Sequence, residues 1–369
     1  MSPSHCFLGC IFVTVASTTL VGQDHAFIES SQILLQLPAD SDHSNVSVTV
    51  VALAPNGASI AIGASDGTVR ILPIAEGSAP TMIAKLEYSV EVVAFSPDAK
   101  LVASGPGRSI VTAIDAPVES PALECLQRFN GGDCVVFSPD GNSLAFGRYR
   151  DGITVLDIKT GENRFAINPF AGAGPVDTGL YKPSTEALTF SPDGKLLAVT
   201  SYFYDDELPA FRDIQVCDAM TGKIKFFLRG RASEFSPDGK LLAYRSGAYY
   251  DGDGRIVLLD LETFLPAGVL TGCFHHGHFS PDGRTMAAIS KSDLEVWSIA
   301  PPQPGRSYYA CKRIAILRND SDFTSFAFFP DGHSIVTGDK QGAVRKWRID
   351  AWWRANNSAG GRNICDSPG

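Results

Sequence analysis

One phrase recurs seven times along this 369-residue chain, and it restricts the possible folds more than any other feature. The phrase is an apolar run, a proline-centred turn and a second apolar run. ALTFSPDGKLLAVTS begins at Ala187, and its near copy ASEFSPDGKLLAYRS begins at Ala232. The turn prolines are Pro55, Pro97, Pro139, Pro192, Pro237, Pro281 and Pro330, separated by 42 to 53 residues. Self-similarity at that period marks a supersecondary unit that cannot bury its apolar faces alone and must stack on copies of itself.

The local chemistry of the phrase is that of a hairpin. In SPDG, proline presets φ near −65° for the second turn position. Asp suits the next position and bonds to nearby backbone. Gly takes the left-handed conformation that ends a three-residue hairpin loop. Phe95, Phe137, Phe190, Phe235, Phe279 and Phe328 precede the turn, with Leu53 in that place in the first copy. A large apolar residue one step before every turn is expected to be a packing anchor. A third apolar segment follows each pair, such as IVLLDL from Ile256 or VRKWRI from Val344, and then a more variable fourth, such as KIKFFL from Lys223. Four short strands per copy, apolar on both sides, predict the blade of a β-propeller.

These residues resemble WD-repeat propellers: FSPDG, an apolar strand, a tight turn, and a strand ending in a large residue plus Asp. The resemblance covers about residues 27 to 350. It implies an all-β, seven-bladed β-propeller of four-stranded antiparallel blades and a role in holding protein partners. The terminal Trp-Asp dipeptide is degenerate in every copy, as in Leu156–Asp157, Leu259–Asp260, Trp297–Ser298 and Trp347–Arg348. The family's Asp–His–Ser–Trp hydrogen-bond network is therefore not expected here.

Such a ring must close. The last copy supplies three strands, and AWWRANNSAGGRNICDSPG after it is too polar and Gly-rich to supply a fourth. SQILLQLPADSD from Ser31 parallels KRIAILRNDSD from Lys312, which fills the fourth-strand place of copy six. Ile33 to Leu37 is thus predicted to complete the last blade and remove an exposed sheet edge.

Composition sets outer limits. With 31 Lys and Arg against 40 Asp and Glu, the net charge is −9, which disfavours nucleic acid and anionic membrane surfaces. Cys6 to Gly22 carries no charge and resembles a secretory signal, although the preceding MSPSH lacks Lys and Arg. The expected layout is a signal peptide over 1–22, a propeller over 27–350 and a tail over 351–369, in an exported, monomeric protein without a membrane span. Six cysteines follow the apolar segment, without a CxxC. Cys125 and Cys134 are placed to meet across a connection, and buried free thiols are the other reading.

Motifs for chemistry are sparse. GASDG at Gly63–Gly67 matches a nucleophile elbow literally, but it sits between two strands, where a tight turn explains it. YYDGDG from Tyr249 does not continue as a calcium loop. In CFHHGH, His276 and His278 share a strand face, which suits either packing between blades or two ligands of a metal. No cofactor and no catalytic set is expected. The enzymatic alternative is a metal-dependent hydrolase or lactonase at the central channel. It would draw on Glu91, Glu186, Glu234 and the histidines.

Loop length points to one face. NPFAGAGPVDTGLYKPSTE enters copy four, SYFYDDELPAFRD joins its second and third strands, and SGAYYDGDG does the same in copy five. All three emerge on the same side of a propeller. They present Phe170, Tyr181, Tyr202, Phe203, Tyr204, Phe211, Tyr249 and Tyr250, together with Asp205, Asp206 and Asp251. Aromatic groups of this kind suit a binding surface for a protein or peptide partner. Folding back onto the blade edges is the other reading. The acidic residues suggest a cationic or polyhydroxylated partner. The leading expectation is an exported, non-catalytic scaffold.

Overall fold

The computed structural model contains 29 strands among the residues it describes. Those residues are 26–28, 31–38, 45–75, 77–105, 108–114, 123–128, 134–148, 152–167, 182–204, 211–246, 254–272, 274–290, 292–303 and 307–349. The signal segment over 1–22 and the tail over 351–369 lie outside them. Among the described residues, no helix is long and apolar enough to cross a membrane.

The strands form seven sheets. The segments β1 (Ala26–Ile28) and β2 (Gln32–Gln36) precede the first blade. Blade one comprises β3 (Val48–Leu53), β4 (Ser59–Ala64), β5 (Thr68–Pro73) and β6 (Thr81–Lys85). Blade two runs from β7 (Val92–Phe95) through β8 (Leu101–Gly105) and β9 (Arg108–Ala113) to β10 (Leu123–Arg128). Blade three holds β11 (Val135–Phe137), β12 (Ser143–Arg148), β13 (Gly152–Asp157) and β14 (Asn163–Ile167). Blade four is longer, with β15 (Lys182–Phe190), β16 (Leu196–Tyr204), β17 (Phe211–Asp218) and β18 (Ile224–Arg229). Blade five has β19 (Arg231–Phe235), β20 (Leu241–Ser246), β21 (Arg255–Asp260) and β22 (Pro266–Leu270). Blade six has β23 (Phe274–Phe279), β24 (Thr285–Ser290), β25 (Asp293–Ala300) and β26 (Ala310–Leu317). The last three strands are β27 (Phe323–Phe328), β28 (Ser334–Asp339) and β29 (Ala343–Arg348).

The innermost strands touch in sequence: β3 to β7, β11, β15, β19, β23, β27 and back to β3. The seven apolar clusters lie between blades rather than within them. One joins Val155 of blade three to Leu197 of blade four, and another joins Val48 and Ile60 of blade one to Val336 and Val344 of the last blade. The residue before each turn serves one such junction. Leu53, Phe95, Phe137, Phe190, Phe235, Phe279 and Phe328 each pack into the cluster shared with the preceding blade. This is why the phrase repeats: each copy must fill the face of its neighbour.

The turns are built as their sequence implies. Ser96 Oγ donates to Asp98 Oδ1 (2.6 Å) and accepts from Leu101 N–H (2.9 Å), while Lys100 N–H donates to Asp98 Oδ1 (3.1 Å). Ser138–Asp140, Ser191–Asp193, Ser236–Asp238 and Ser280–Asp282 repeat the arrangement. The turn glycines, for example Gly141 and Gly194, have φ near +70°.

The ring closes as predicted. The strand β2 pairs antiparallel with β29 and completes blade seven. A second closure was not foreseen. Three residues earlier, β1 pairs in parallel with β26, Ala26 against Ala315 and Ile28 against Leu317. The N-proximal segment therefore edges blade six and then blade seven. In blade seven, Trp347 Nε1 donates to Thr337 Oγ1 (2.8 Å), and buried Asp339 accepts from Asn319 Nδ2 (2.8 Å).

Candidate functional site: the channel mouth at blades four and five

Blade four stands above its neighbours. Its innermost strand spans nine residues, whereas those of blades one and five span six and five. The link from Ser201 to Asp213, read from sequence as a long loop, is largely a continued hairpin. Ser201 faces Asp213, Tyr202 faces Arg212 and Phe203 faces Phe211, and Lys182 pairs with Tyr204 on the other side. Four additional residues at about 3.3 Å each raise this wall by about 13 Å on the side where the long loops emerge.

The wall redistributes the predicted binding residues. Tyr202 lies beneath the Arg212 guanidinium, 4.5 Å from ring centroid to Cζ. Phe203 is fully buried, so its ring is part of the packing and not of the surface. Tyr204 and Phe211 occupy the ends of β16 and β17. Phe170, Tyr181, Asp205, Asp206, Tyr249, Tyr250 and Asp251 lie outside the described residues.

What the described residues bring together at this end of the channel is arginine. The start of β19 and the end of β20 place Arg231 and Arg245 directly opposite each other in an antiparallel pair. Arg212 reaches across from β17. A single carboxylate, Glu186, sits in the bulge of β15. Arg212 grips it with both arms, Nε to Oε2 at 2.5 Å and Nη2 to Oε1 at 2.9 Å. Arg231 Nε approaches the same Oε2 only to 4.0 Å. Arg231 Nη1 also lies 3.4 Å from the His275 carbonyl.

The Nε atoms of Arg231 and Arg245 are buried and lack hydrogen-bond acceptors among the described residues. Burial, and then the nearby charges of Arg212 and Arg245, push the Arg231 guanidinium below its ordinary value against the pull of Glu186. Burial, and then the charges of Arg245 and Arg231, lower His275 as well. Gly254 makes room for the Arg245 head group: a Cβ there would lie 2.3 Å from its Nε. The acidic residues expected of this face lie outside the described residues; the described ones here present arginines. The sequence hid this cluster because the arginines come from three strands and neighbour no shared motif.

Deeper in the channel, His276 and His278 share a face, their ring centroids 5.8 Å apart. His276 stacks on Phe326 at 5.6 Å, and His278 meets the same ring edge-on at 5.1 Å. His278 Nδ1 lies 3.1 Å from Glu234 Oε2, and the other Glu234 oxygen accepts the Phe279 N–H. Burial and the charge of His278 push His276 down to about 3. For His278, burial acts downward, but the charge and hydrogen bond of Glu234 outweigh it and raise the value. These contacts follow the packed reading of the pair. Among the described residues, no three His, Cys, Asp or Glu side chains gather as a metal-binding group. Cys217 and Cys311 are free thiols, each pushed up to about 11 by burial, which makes them poor nucleophiles.

Two comparisons bear on this arrangement. The family model described as WD domain, G-beta repeat, matches residues 36–71. That span runs from the end of β2 through β5, and so covers most of the first blade. No curated protein matches the chain.

Proposed function

We propose that this seven-bladed β-propeller, which carries a WD40 repeat, is a non-catalytic scaffold that holds a protein or peptide partner against the mouth formed by blades four and five. WD40 propellers are typically interaction scaffolds, and fold alone does not choose the site. The observation that supports this face is the raised hairpin of blade four, with the arginine cluster at its foot. A wall of paired strands beside a cluster of charged side chains offers shape and charge to a partner at low ordering cost. Export through the apolar segment before residue 23 belongs to the same proposal, and mass spectrometry of the mature N-terminus tests it.

The interaction is tested by cross-linking the purified protein in extracts of its source and comparing two variants. In the first, residues 205–210 are replaced by Gly-Gly, shortening the crest of the hairpin. In the second, Met220 and Leu265, which are exposed at turns on the opposite face, become Lys. The proposal expects the first variant to lose the cross-linked species and the second to keep it. The reverse pattern would move the interaction to the other face.

A further inference from the structure

The arginines at the mouth are arranged in a way that stability alone does not favour. Arg231 and Arg245 are register partners on neighbouring antiparallel strands. Like charges directly opposite each other in a sheet are destabilising. Each also keeps a buried Nε donor without an acceptor among the described residues. A buried donor left unmet costs about 1–3 kcal/mol. The one described carboxylate within reach, Glu186, is engaged at both oxygens by Arg212. Arg231 receives only its 4.0 Å remainder, and no described carboxylate forms an ion pair with Arg245. The neighbouring His275, which burial and the two arginines hold toward the neutral form, adds no further positive charge. Among the described residues, Glu186 is the carboxylate that Arg212 and Arg231 approach, in a protein whose net charge is −9. The excess is local and positioned. Gly254 keeps the Arg245 head group seated against the backbone, where any side chain would displace it.

We infer that Arg231 and Arg245, backed by Arg212, form a receptor for a carboxylate, so that the segment recognised at this mouth is acidic. Arginine suits the role because its planar fork matches a carboxylate with two parallel hydrogen bonds. An incoming carboxylate would offset the repulsion between the guanidinium groups on the facing strands. Glu186 fixes Arg212 at short range and reaches Arg231 only at 4.0 Å.

This inference rests on the scaffold reading for the identity of the ligand as a peptide, but its test is separate. A fluorescein-labelled peptide, Gly-Ser-Glu-Glu-Glu-Glu-Ser-Gly, is titrated with the full chain and followed by anisotropy at low salt. The same peptide with Gln in place of Glu serves as the uncharged arm, and inorganic phosphate as a competitor reports a general oxyanion site. The acidic peptide is expected to bind at least about 10-fold more tightly than the Gln peptide, the scale of one lost charge-assisted contact. Arg231→Gln and Arg245→Gln should each remove about that factor. Gly254→Ala, which preserves every charge, should also weaken binding by displacing Arg245. Arg164→Gln, in the surface pair with Asp157, should leave it unchanged. Circular dichroism melting identifies any variant that fails to fold, and Gly254→Ala then carries the test.

Equal binding of the two peptides would overturn the inference, as would Arg231 and Arg245 variants that bind like wild type. Displacement by phosphate as effective as by free glutamate peptide would overturn the assignment to carboxylate. Binding that emerges only after Asp251 and Asp253 are changed to Asn would show that the arginines serve the chain's own loop, which also overturns it. Loss of the cross-linked partner on hairpin shortening with peptide binding intact would separate the two proposals.

Discussion

Gly57, in the turn of the first blade, lies against Pro330, in the turn of the last, so closely that a Cβ on Gly57 would stand 3.1 Å from the proline Cγ. The same relation links Gly141 to Pro97, Gly194 to Pro139, Gly239 to Pro192, Gly283 to Pro237 and Gly332 to Pro281. Each turn glycine thus abuts the turn proline of the preceding blade, and the pairing carries across the point where the chain's ends meet. One blade departs from the pattern. Ala99 holds the glycine position in blade two at φ +59°. A left-handed conformation costs a residue with a Cβ about 1–2 kcal/mol, partly offset because alanine is less free than glycine when unfolded. Ala99→Gly is expected to stabilise the protein by about 0.5 kcal/mol, and Gly57→Ala to destabilise it by about 1–2 kcal/mol. Denaturant midpoints that moved in the opposite directions would sink the argument.

The two N-proximal strands should contribute unequally. Truncation through residue 30 removes β1, which adds a three-residue parallel edge to blade six. Truncation through residue 38 also removes β2 and Leu37, which is 5% exposed and belongs to the cluster between blades seven and one. Loss of that side chain alone is worth about 2–3 kcal/mol, and the exposed edge of β29 becomes a template for association. The shorter truncation is expected to lower the melting temperature slightly with a single transition. The longer one should broaden the transition and yield oligomers in size-exclusion chromatography. Indistinguishable behaviour of the two would contradict the assigned closure.

Much of this architecture was legible because packing repeats. Phe235 and Phe279 precede the same SPDG turn because each fills the same junction. The closing strand could be found because Ile33 to Leu37 echoes the outer strand of blade six. The strand β1 could not, since AFI is too short to carry an alternation signal. For the proposed site, loop length pointed to one side of blades four and five, where strand pairing turns much of Ser201–Asp213 into a wall and buries Phe203. The charge there was not legible, because Arg212, Arg231 and Arg245 converge only once two blades are stacked.

The turn aspartates make the ring acid-sensitive. Hydrogen bonds from Ser96, Ser138 and Ser191 hold Asp98, Asp140 and Asp193 below their ordinary value of 3.8. A hydrogen bond from Arg164 takes Asp157 to about 2. A carboxylate with a depressed folded value stabilises above its unfolded value, and that stability is lost as pH falls through the folded one. Loss is therefore expected from about pH 4 downward, extending to about pH 2 for Asp157. Asn56 does the same turn work in blade one, accepting Ala58 N–H at 2.9 Å without titrating. Asp98→Asn, Asp140→Asn and Asp193→Asn together should flatten the stability profile between pH 4 and 3 in urea titrations. An unchanged slope would show that the turns are not its source.

His276 and His278 should act in opposite senses over a milder range, although their rings touch. Folding lowers His276 from 6.5 to about 3, chiefly through burial. The unfolded chain then binds the extra proton between those values, so this residue's stabilisation is present above about pH 6.5 and declines as pH falls toward 3. Folding raises His278, because Glu234 outweighs burial. Its contribution is full below about 6.5 and is lost as pH rises through the folded value. Nitrogen-detected imidazole titration should show His276 neutral throughout the range above pH 4, and His278 protonating at a higher pH than a free histidine. Glu234→Gln should reverse the second shift by removing its charge, leaving burial to lower His278 as it does His276. A His278 that still titrated high in that variant would mean that Glu234 is not the group that holds its proton.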